Sequence, residues 1–278
     1  MLRVTAPALA MVLFAAPAAA SGPDSDPAPD PLRSVMWSDM RALLLGGGPV
    51  MFDERVRVAA PASAEDALNV PVMVDASSLD AREKVEEIVV FADMNPIPRI
   101  LNYRPSHAKP LIGLRLKLQQ ATPIRAAART PDGVWHVGGV FVDAAGGGCT
   151  SPALAHGDPQ WERHLGEVQA RAWEQAGDGA VRLRFRVRHP MDTGLAPGIP
   201  AFHLENLVIR DAGGRELGRI DTFEPVAENP VFTLEVSPAA DTRSLRLTGR
   251  DNNGTSVLAE IPLPWRQSAL PWRRSAPP

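Results

Sequence analysis

Most of the chain consists of short runs in which apolar and polar residues alternate, and each run ends at a turn signal. In "VRLRFRV", residues 181–187, valine, leucine and phenylalanine alternate with arginine. This period of two places the apolar side chains on one face of a β-strand. Similar runs fill residues 49–143 and 180–262, with turn signals such as "PDG" and "NNG" between them. The pattern predicts an all-β protein built from two antiparallel β-sandwiches.

Two segments have a helical pattern instead. Residues 33–48, "RSVMWSDMRALLLGGG", place apolar side chains on one helical face and offer Gly46 as a stop. Residues 158–179 begin with Asp158 as a cap and Pro159 in the first turn. Their apolar residues recur at spacings of four, three and four: Trp161, Leu165, Val168 and Ala172. The sequence therefore predicts a short N-terminal helix and an inter-domain helix near residues 159–175.

The first twenty residues resemble an export signal. Arg3 precedes the apolar run "TAPALAMVLFAAPAAA", and the small residues at 18–20 predict cleavage near Ala20. Loss of Arg3 changes the formal net charge from −3 to −4, which gives no basic field for nucleic acid or anionic lipid. We expect an exported protein of the bacterial periplasm with no membrane span.

These features predict six segments. Residues 1–20 form the signal peptide, and the proline-rich, acidic stretch 21–31 forms a disordered leader. The first sandwich covers 32–145, and 146–179 contain a glycine-cysteine arm and a helical linker. The second sandwich covers 180–262. Residues 263–278 contain "LPWR" twice, and we expect an extended tail whose two copies suit docking on a partner or leave Trp265 against the second domain.

The only cysteine of the chain, Cys149, follows Gly146, Gly147 and Gly148 in "DAAGGGCTSP". An odd cysteine in an oxidising compartment implies intermolecular pairing or a thiol kept free for chemistry. Glycines on one side and "TSP" on the other give no apolar shelter, so we expect an accessible thiol on a mobile arm that tolerates even valine. No Lys, Arg or His lies within five residues to act as a base, which argues against a cysteine hydrolase or peroxidase.

Other candidate sites have simpler interpretations. His189 and Met191 in "HPMDTG" offer imidazole and sulfur to copper, but a strand end followed by a turn explains them better. "DNNGT", 251–255, resembles the start of a calcium loop but lacks its closing glutamate, so we expect a hairpin turn. We predict no metal site, no cofactor and no catalytic residues.

Several motifs together point to a family. The first part, with "DMNPIP" and a terminal glycine-rich cysteine motif, resembles SoxY, and the second, with "HPMDTG", "GIPAFHLENLVI" and "AENPVFTLEV", resembles SoxZ. The chain is similar to fused SoxYZ-like sulfur carriers of the quinoprotein dehydrogenase-associated group. This resemblance implies immunoglobulin-like sandwiches, with Cys149 as the covalent attachment residue and Gly146–Gly148 as its flexible arm. Here "GGGCTSP" continues into the second domain, so the arm is tied at both ends.

The resemblance implies a carrier rather than an enzyme. We expect a sulfur-containing intermediate to be held on Cys149 and presented to periplasmic sulfur-oxidising, quinoprotein dehydrogenase or cytochrome partners. A disulfide-linked dimer through Cys149 is a further interpretation of the odd cysteine. The alternative function is a non-carrier β-sandwich module that recognises a quinoprotein dehydrogenase system.

Overall fold

The protein is mainly β-structure. The computed structural model describes residues 29–80, 82–177 and 179–267. The helices are α1 (Trp37–Leu45), α2 (Ser77–Asp80), α3 (Pro264–Gln267) and two 3-10 turns, Leu154–Gly157 and Trp161–His164. The strands of the first half are β1 (Val50–Phe52), β2 (Arg57–Ala59), β3 (Ser63–Ala64), β4 (Val70–Asp75), β5 (Glu87–Ala92), β6 (Arg99–Arg104), β7 (Ala108–Leu116), β8 (Thr122–Arg129) and β9 (Trp135–Ala144). Those of the second half are β10 (Val168–Glu174), β11 (Val181–Val187), β12 (Asp192–Thr193), β13 (Ala201–Phe202), β14 (Leu204–Arg210), β15 (Glu216–Thr222), β16 (Val231–Val236), β17 (Ser244–Asp251) and β18 (Ser256–Pro262).

Two large sheets form the two layers of the molecule. The larger has the order β1-β9-β8-β5-β6-β15-β14-β17-β18, with β3 also paired to β9, and the smaller has the order β10-β11-β16-β7-β4-β2. Both contain strands from each half, and β12 pairs with β13 in a small separate ribbon. The prediction of an all-β fold with two immunoglobulin-like sandwiches is confirmed.

The two sandwiches join edge to edge. Antiparallel pairing of β6 with β15 continues the larger sheet across the junction, and pairing of β7 with β16 continues the smaller one. One hydrophobic cluster contains side chains of both halves, for example Ile112 and Leu114 together with Phe185 and Phe232. Because burial of apolar area is the main stabilising term in folding, each half depends on the other for part of its core.

The predicted N-terminal helix is confirmed as α1. Its inward side chains, including Met40 and Leu44, pack against Phe91 and Trp135 in a second, smaller cluster on the outside of the larger sheet. The helix ends at Gly46, which adopts a left-handed conformation with φ of 63°, the usual geometry of a glycine C-cap.

The predicted inter-domain helix near 159–175 is wrong. Trp161–His164 form a single 3-10 turn, and β10 then pairs with β11 along its whole length, from Val168↔Val187 to Glu174↔Val181. Along β10 every second residue, Val168, Ala170 and Ala172, faces the core. The position of Ala172 fits both a helical and a strand period. Pairing with the arginine-rich strand β11 favours the strand.

The ends of the chain depart from prediction where they can be described. Asp30 belongs to the predicted disordered leader, yet its carboxylate pairs with the buried Arg125 guanidinium at 2.7 Å. At the other end, residues 264–267 form α3 rather than an extended tail, and Trp265 packs against the core. Residues 1–28, which include the predicted signal peptide, and the second "LPWR" lie outside the described residues. No helix of the described ranges has the length and apolarity to cross a membrane.

Candidate functional site

The glycine arm, residues 146–149, leaves the end of β9 and lies against the loop that follows β7. Gly146 and Gly147 have φ of 95° and 81°, a region that side chains disfavour. The amide of Gly147 donates to Gln119 O and that of Gly148 to Leu118 O, both at 3.0 Å. A Cβ on Gly148 would lie 2.2 Å from Ala67 O. Glycine is therefore required here for close contact with the neighbouring backbone and for the positive φ angles.

Cys149, the last residue of this arm, is fully buried, with 0% of its surface exposed. Its thiol is directed toward Lys117 O at a sulfur–oxygen distance of 3.8 Å, a weak interaction. The expectation of an accessible thiol is therefore wrong, because the thiol is buried; the mobility of the arm stays a prediction. Small residues without apolar neighbours in sequence suggested exposure, but the shelter comes from segments far away along the chain.

The pocket beneath the thiol is built around Lys117 O. The side chain of Asn95, in the "DMNPIP" turn, donates to this carbonyl at 2.9 Å, and its own carbonyl accepts the amide of Gln119 at 2.9 Å. Asn95 thus holds the loop on which the arm lies. The Lys117 side chain, only 1% exposed, donates its ammonium to Met191 O.

The second half closes the other side of the pocket through "HPMDTG". Thr193 donates its hydroxyl to the carbonyl of Cys149. Asp192 accepts the amide of Ala153 at 3.4 Å and pairs with His156 at 2.9 Å. Three consecutive residues therefore hold the site. Met191 binds the loop under the cysteine, Asp192 binds the segment that follows the cysteine, and Thr193 binds the cysteine itself.

Burial controls the ionisation of this site. It raises the pKa of the Cys149 thiol to about 11, although the nearby Lys117 charge acts in the opposite direction. Burial likewise lowers the pKa of the Lys117 ammonium. Because the thiolate is the nucleophile, the buried cysteine is a neutral, unreactive thiol near neutral pH.

The Met191 sulfur and one ring nitrogen of His189, both considered for copper, take part in hydrogen bonds, and the other ring nitrogen, His189 Nε2, lies 3.6 Å from an Asp251 oxygen. The Met191 sulfur accepts the amide of Leu204 at 3.4 Å, and His189 Nδ1 accepts the amide of Met191 at 3.1 Å. Burial lowers the pKa of His189 to about 4. "DNNGT" forms the predicted hairpin turn, in which one Asp251 oxygen accepts the amides of Asn253 and Thr255.

The sequence located Cys149 and its three glycines in one segment, and the structure keeps them together. It did not identify Lys117, Asn95 or Thr193 as their partners. Asn95 and Thr193 lie within the motifs "DMNPIP" and "HPMDTG", which could have indicated them. Lys117 lies two residues after Arg115 at a position that the strand alternation assigns to solvent, so no local signal predicts its burial.

Comparison with known proteins divides the chain into two. Residues 41–149 match the family described as sulfur oxidation protein SoxY, and residues 169–262 match that described as sulphur oxidation protein SoxZ. The structure of the sulfur carrier protein SoxY from Chlorobium limicola f thiosulfatophilum is 21% identical. The match covers 40% of this chain and 96% of that one, with a TM-score of 0.34. No curated protein sequence matches the chain.

Proposed function

Because the chain belongs to the SoxY and SoxZ families, with both domains in tandem, we propose that it carries a sulfur-containing intermediate covalently on Cys149. The observation that supports this most directly is the position of the thiol. Cys149 is the only cysteine of the chain, it follows three glycines, and the SoxY match ends on it. On this proposal the protein has no catalytic site of its own, and separate enzymes act on the sulfur group.

Loading requires the arm to leave its pocket. A thiol with 0% exposure and a pKa of about 11 cannot attack or be attacked in place. The arm is held by the two amide hydrogen bonds of Gly147 and Gly148 and by Thr193, each worth about 1 kcal/mol net. So few contacts permit local opening without unfolding of the sandwiches. The buried state protects the thiol, and the open state presents it.

The same proposal includes location and partners. The N-terminal apolar run favours export to the periplasm. There Cys149 would meet sulfur-oxidising enzymes or a quinoprotein dehydrogenase and its cytochromes. A disulfide-linked dimer through Cys149 would need the same opening of the arm.

The carrier proposal is tested in the native host. Protein isolated from cells grown on a reduced sulfur source is expected to carry a reductant-sensitive mass increase on the peptide that contains Cys149. Cys149→Ser is expected to fold normally, carry no adduct and fail to support growth. An unmodified Cys149 under all sulfur sources, together with a fully functional serine variant, would falsify the carrier proposal.

The burial of Cys149 gives specific support to the second candidate, a non-carrier interaction module. In that case the thiol is a small buried side chain that packs between the two halves. Cys149→Ser then retains partner binding and phenotype. The same pair of measurements therefore separates the two functions.

A further inference from the structure

A cavity beside the cysteine segment is lined by two arginines and by Lys117, whose ammonium is bound to Met191 O. Its volume is about 280 Å³, and its walls include Arg115, Lys117 and Arg186. Pro152 and Ala153, just after Cys149, form another wall. This volume holds a tetrahedral oxyanion with some of its hydrating water.

The sheet register places the two guanidinium groups on either side of one small side chain. Arg186 of β11 pairs with Val231 of β16. Thr233 of β16 pairs with Gly113 of β7, so antiparallel geometry brings Arg115 next to Val231 on the same outer face. One strand, β16, lies between the two arginines, so two inter-strand spacings, about 10 Å at the backbone, separate them. Two long side chains span this distance around one anion.

Neither arginine is neutralised within the described residues. Arg186 donates to the amide oxygen of Gln169 at 2.9 Å, and Arg115 to that of Asn69 at 3.5 Å, so both partners are uncharged. The carboxylate of Glu228 also lines the cavity, but its oxygens accept the amide of Leu154 and the side chain of Asn229.

The second carboxylate of the cavity, Asp66, is exposed and accepts the amide of Leu68 at 3.0 Å. Neither acid is paired with the guanidinium groups. Planar guanidinium groups match the oxygen atoms of oxyanions in pairs of hydrogen bonds.

We propose that this cavity binds a sulfur oxyanion next to the cysteine, either as the free ion or as the terminal sulfonate of a group carried on Cys149. The proposal rests on the carrier function for the identity of the anion. Lys117 connects the cavity with the cysteine, because it lines the cavity and its carbonyl accepts the Cys149 thiol. Arg115, Arg186 and Val231 lie on strands β7, β11 and β16, so the wall that carries the two guanidinium groups persists when the arm opens. It gives the carrier a means to select anionic cargo.

The first experiment tests binding of the free ion. The full chain is titrated with sodium thiosulfate while its backbone amide chemical shifts are recorded, and sodium chloride at matched ionic strength is the blank. Wild type and Cys149→Ser are expected to show saturable shifts around Val231. The double substitution Arg115→Gln with Arg186→Gln is expected to weaken binding about tenfold or more.

The matched control is Arg171→Gln with Arg184→Gln, which removes the same charge from the same sheet face outside the cavity. It is expected to bind within about twofold of wild type, because neither side chain lines the cavity or can donate hydrogen bonds to an anion inside it. Equal losses in both double variants, or no saturable binding beyond the chloride blank, would overturn the proposal.

The second experiment tests binding of the carried group and uses protein that has been loaded with tetrathionate. The Cys149 thiol loses its proton to solvent and attacks a central sulfur of tetrathionate. A Cys–S–S–sulfonate forms, and thiosulfate leaves with the electron pair. If the terminal sulfonate occupies the cavity, loaded protein shows the shifts around Val231 without added thiosulfate.

Loaded protein that lacks these shifts and still binds thiosulfate assigns the cavity to the free ion, which also supports the proposal. Wild type that resists tetrathionate while Cys149→Ser binds thiosulfate counts against the carrier function and leaves the cavity assignment in place. The two proposals can therefore fail separately.

Discussion

Gly148 shows that a glycine can fix a position rather than loosen it. With no side chain, it lets the arm lie within contact of two carbonyl groups, and a Cβ would be 2.2 Å from Ala67 O and 2.7 Å from Leu118 O. Contacts that short with backbone cannot be relieved by rotating a side chain. The arm must then move away, and Cys149 with it.

Gly148→Ala is therefore expected to expose the thiol in the otherwise folded protein. We expect its reaction with a thiol reagent at pH 8 to become about tenfold faster or more, since reactivity follows the population of the open arm. The measurement is the rate at which a disulfide reagent releases its chromogenic thiolate on reaction with the protein. Gly157→Ala, which meets nothing within 4 Å, is the control and should react like wild type. An unchanged rate in Gly148→Ala would show that the arm is not held by this contact.

The pH dependence of the same reaction has a defined sign. Burial raises the pKa of Cys149 from 9.0 to about 11, so the closed arm binds the proton more tightly than the open arm does. The closed state therefore keeps its full advantage below pH 9 and loses it as the pH rises toward 11. Wild-type reactivity is expected to keep rising past pH 9, whereas Gly148→Ala should level off near 9. Superimposable profiles for the two proteins would contradict this assignment.

At the scale of elements, alternation alone predicted most strands. β11, with Leu183 and Phe185 inward and arginines outward, lies where the period of two placed it. The helical interpretation of residues 159–175 failed because spacings of three and four also occur by chance across a turn and a strand. Gly166, with φ of 78°, marks the change of direction between them. Periodicity describes one segment, whereas strand pairing depends on a neighbour that the segment does not contain.

The candidate site was likewise predicted only in part from the sequence. The sequence placed Cys149 and its glycines in one segment, because they are neighbours along the chain. It could not place Lys117 and Thr193 beside them, since those contacts join positions 32 and 44 residues away. Their proximity follows from the joined sheets, which no single motif encodes.

The short strand β12 is the element of the second half that holds the arm. Thr193→Val keeps the shape of the side chain and removes the hydroxyl that donates to the Cys149 carbonyl. Loss of one buried hydrogen bond costs about 1–2 kcal/mol, so thiol reactivity is expected to rise about fivefold to thirtyfold. Thr233→Val on β16, outside the arm contacts, is the matched control. Equal reactivity of both variants would mean that β12 does not hold the arm.

At the scale of the molecule, both layers run through the junction without interruption. The ladder from Arg219↔Arg104 to Thr222↔Leu101 joins the larger sheet, and Thr233↔Gly113 joins the smaller one. Each separate half would expose two unpaired strand edges and part of a common core, a state prone to aggregation. The covalent link is thus not what keeps the halves together.

A specific protease site inserted after Gly157 tests this directly. Gly157 is the exposed last residue of a 3-10 turn and has open space around it, so the insertion should leave the fold intact. After cleavage the two pieces are expected to elute as one species of unchanged size, because the β6–β15 and β7–β16 ladders and the shared core remain. Cys149 should also stay protected, since Thr193 is still held beside it. The uncleaved insertion protein is the control for both measurements. Pieces that separate in native buffer would show that the junction is weak and that the covalent link holds the SoxY-like half to the SoxZ-like half.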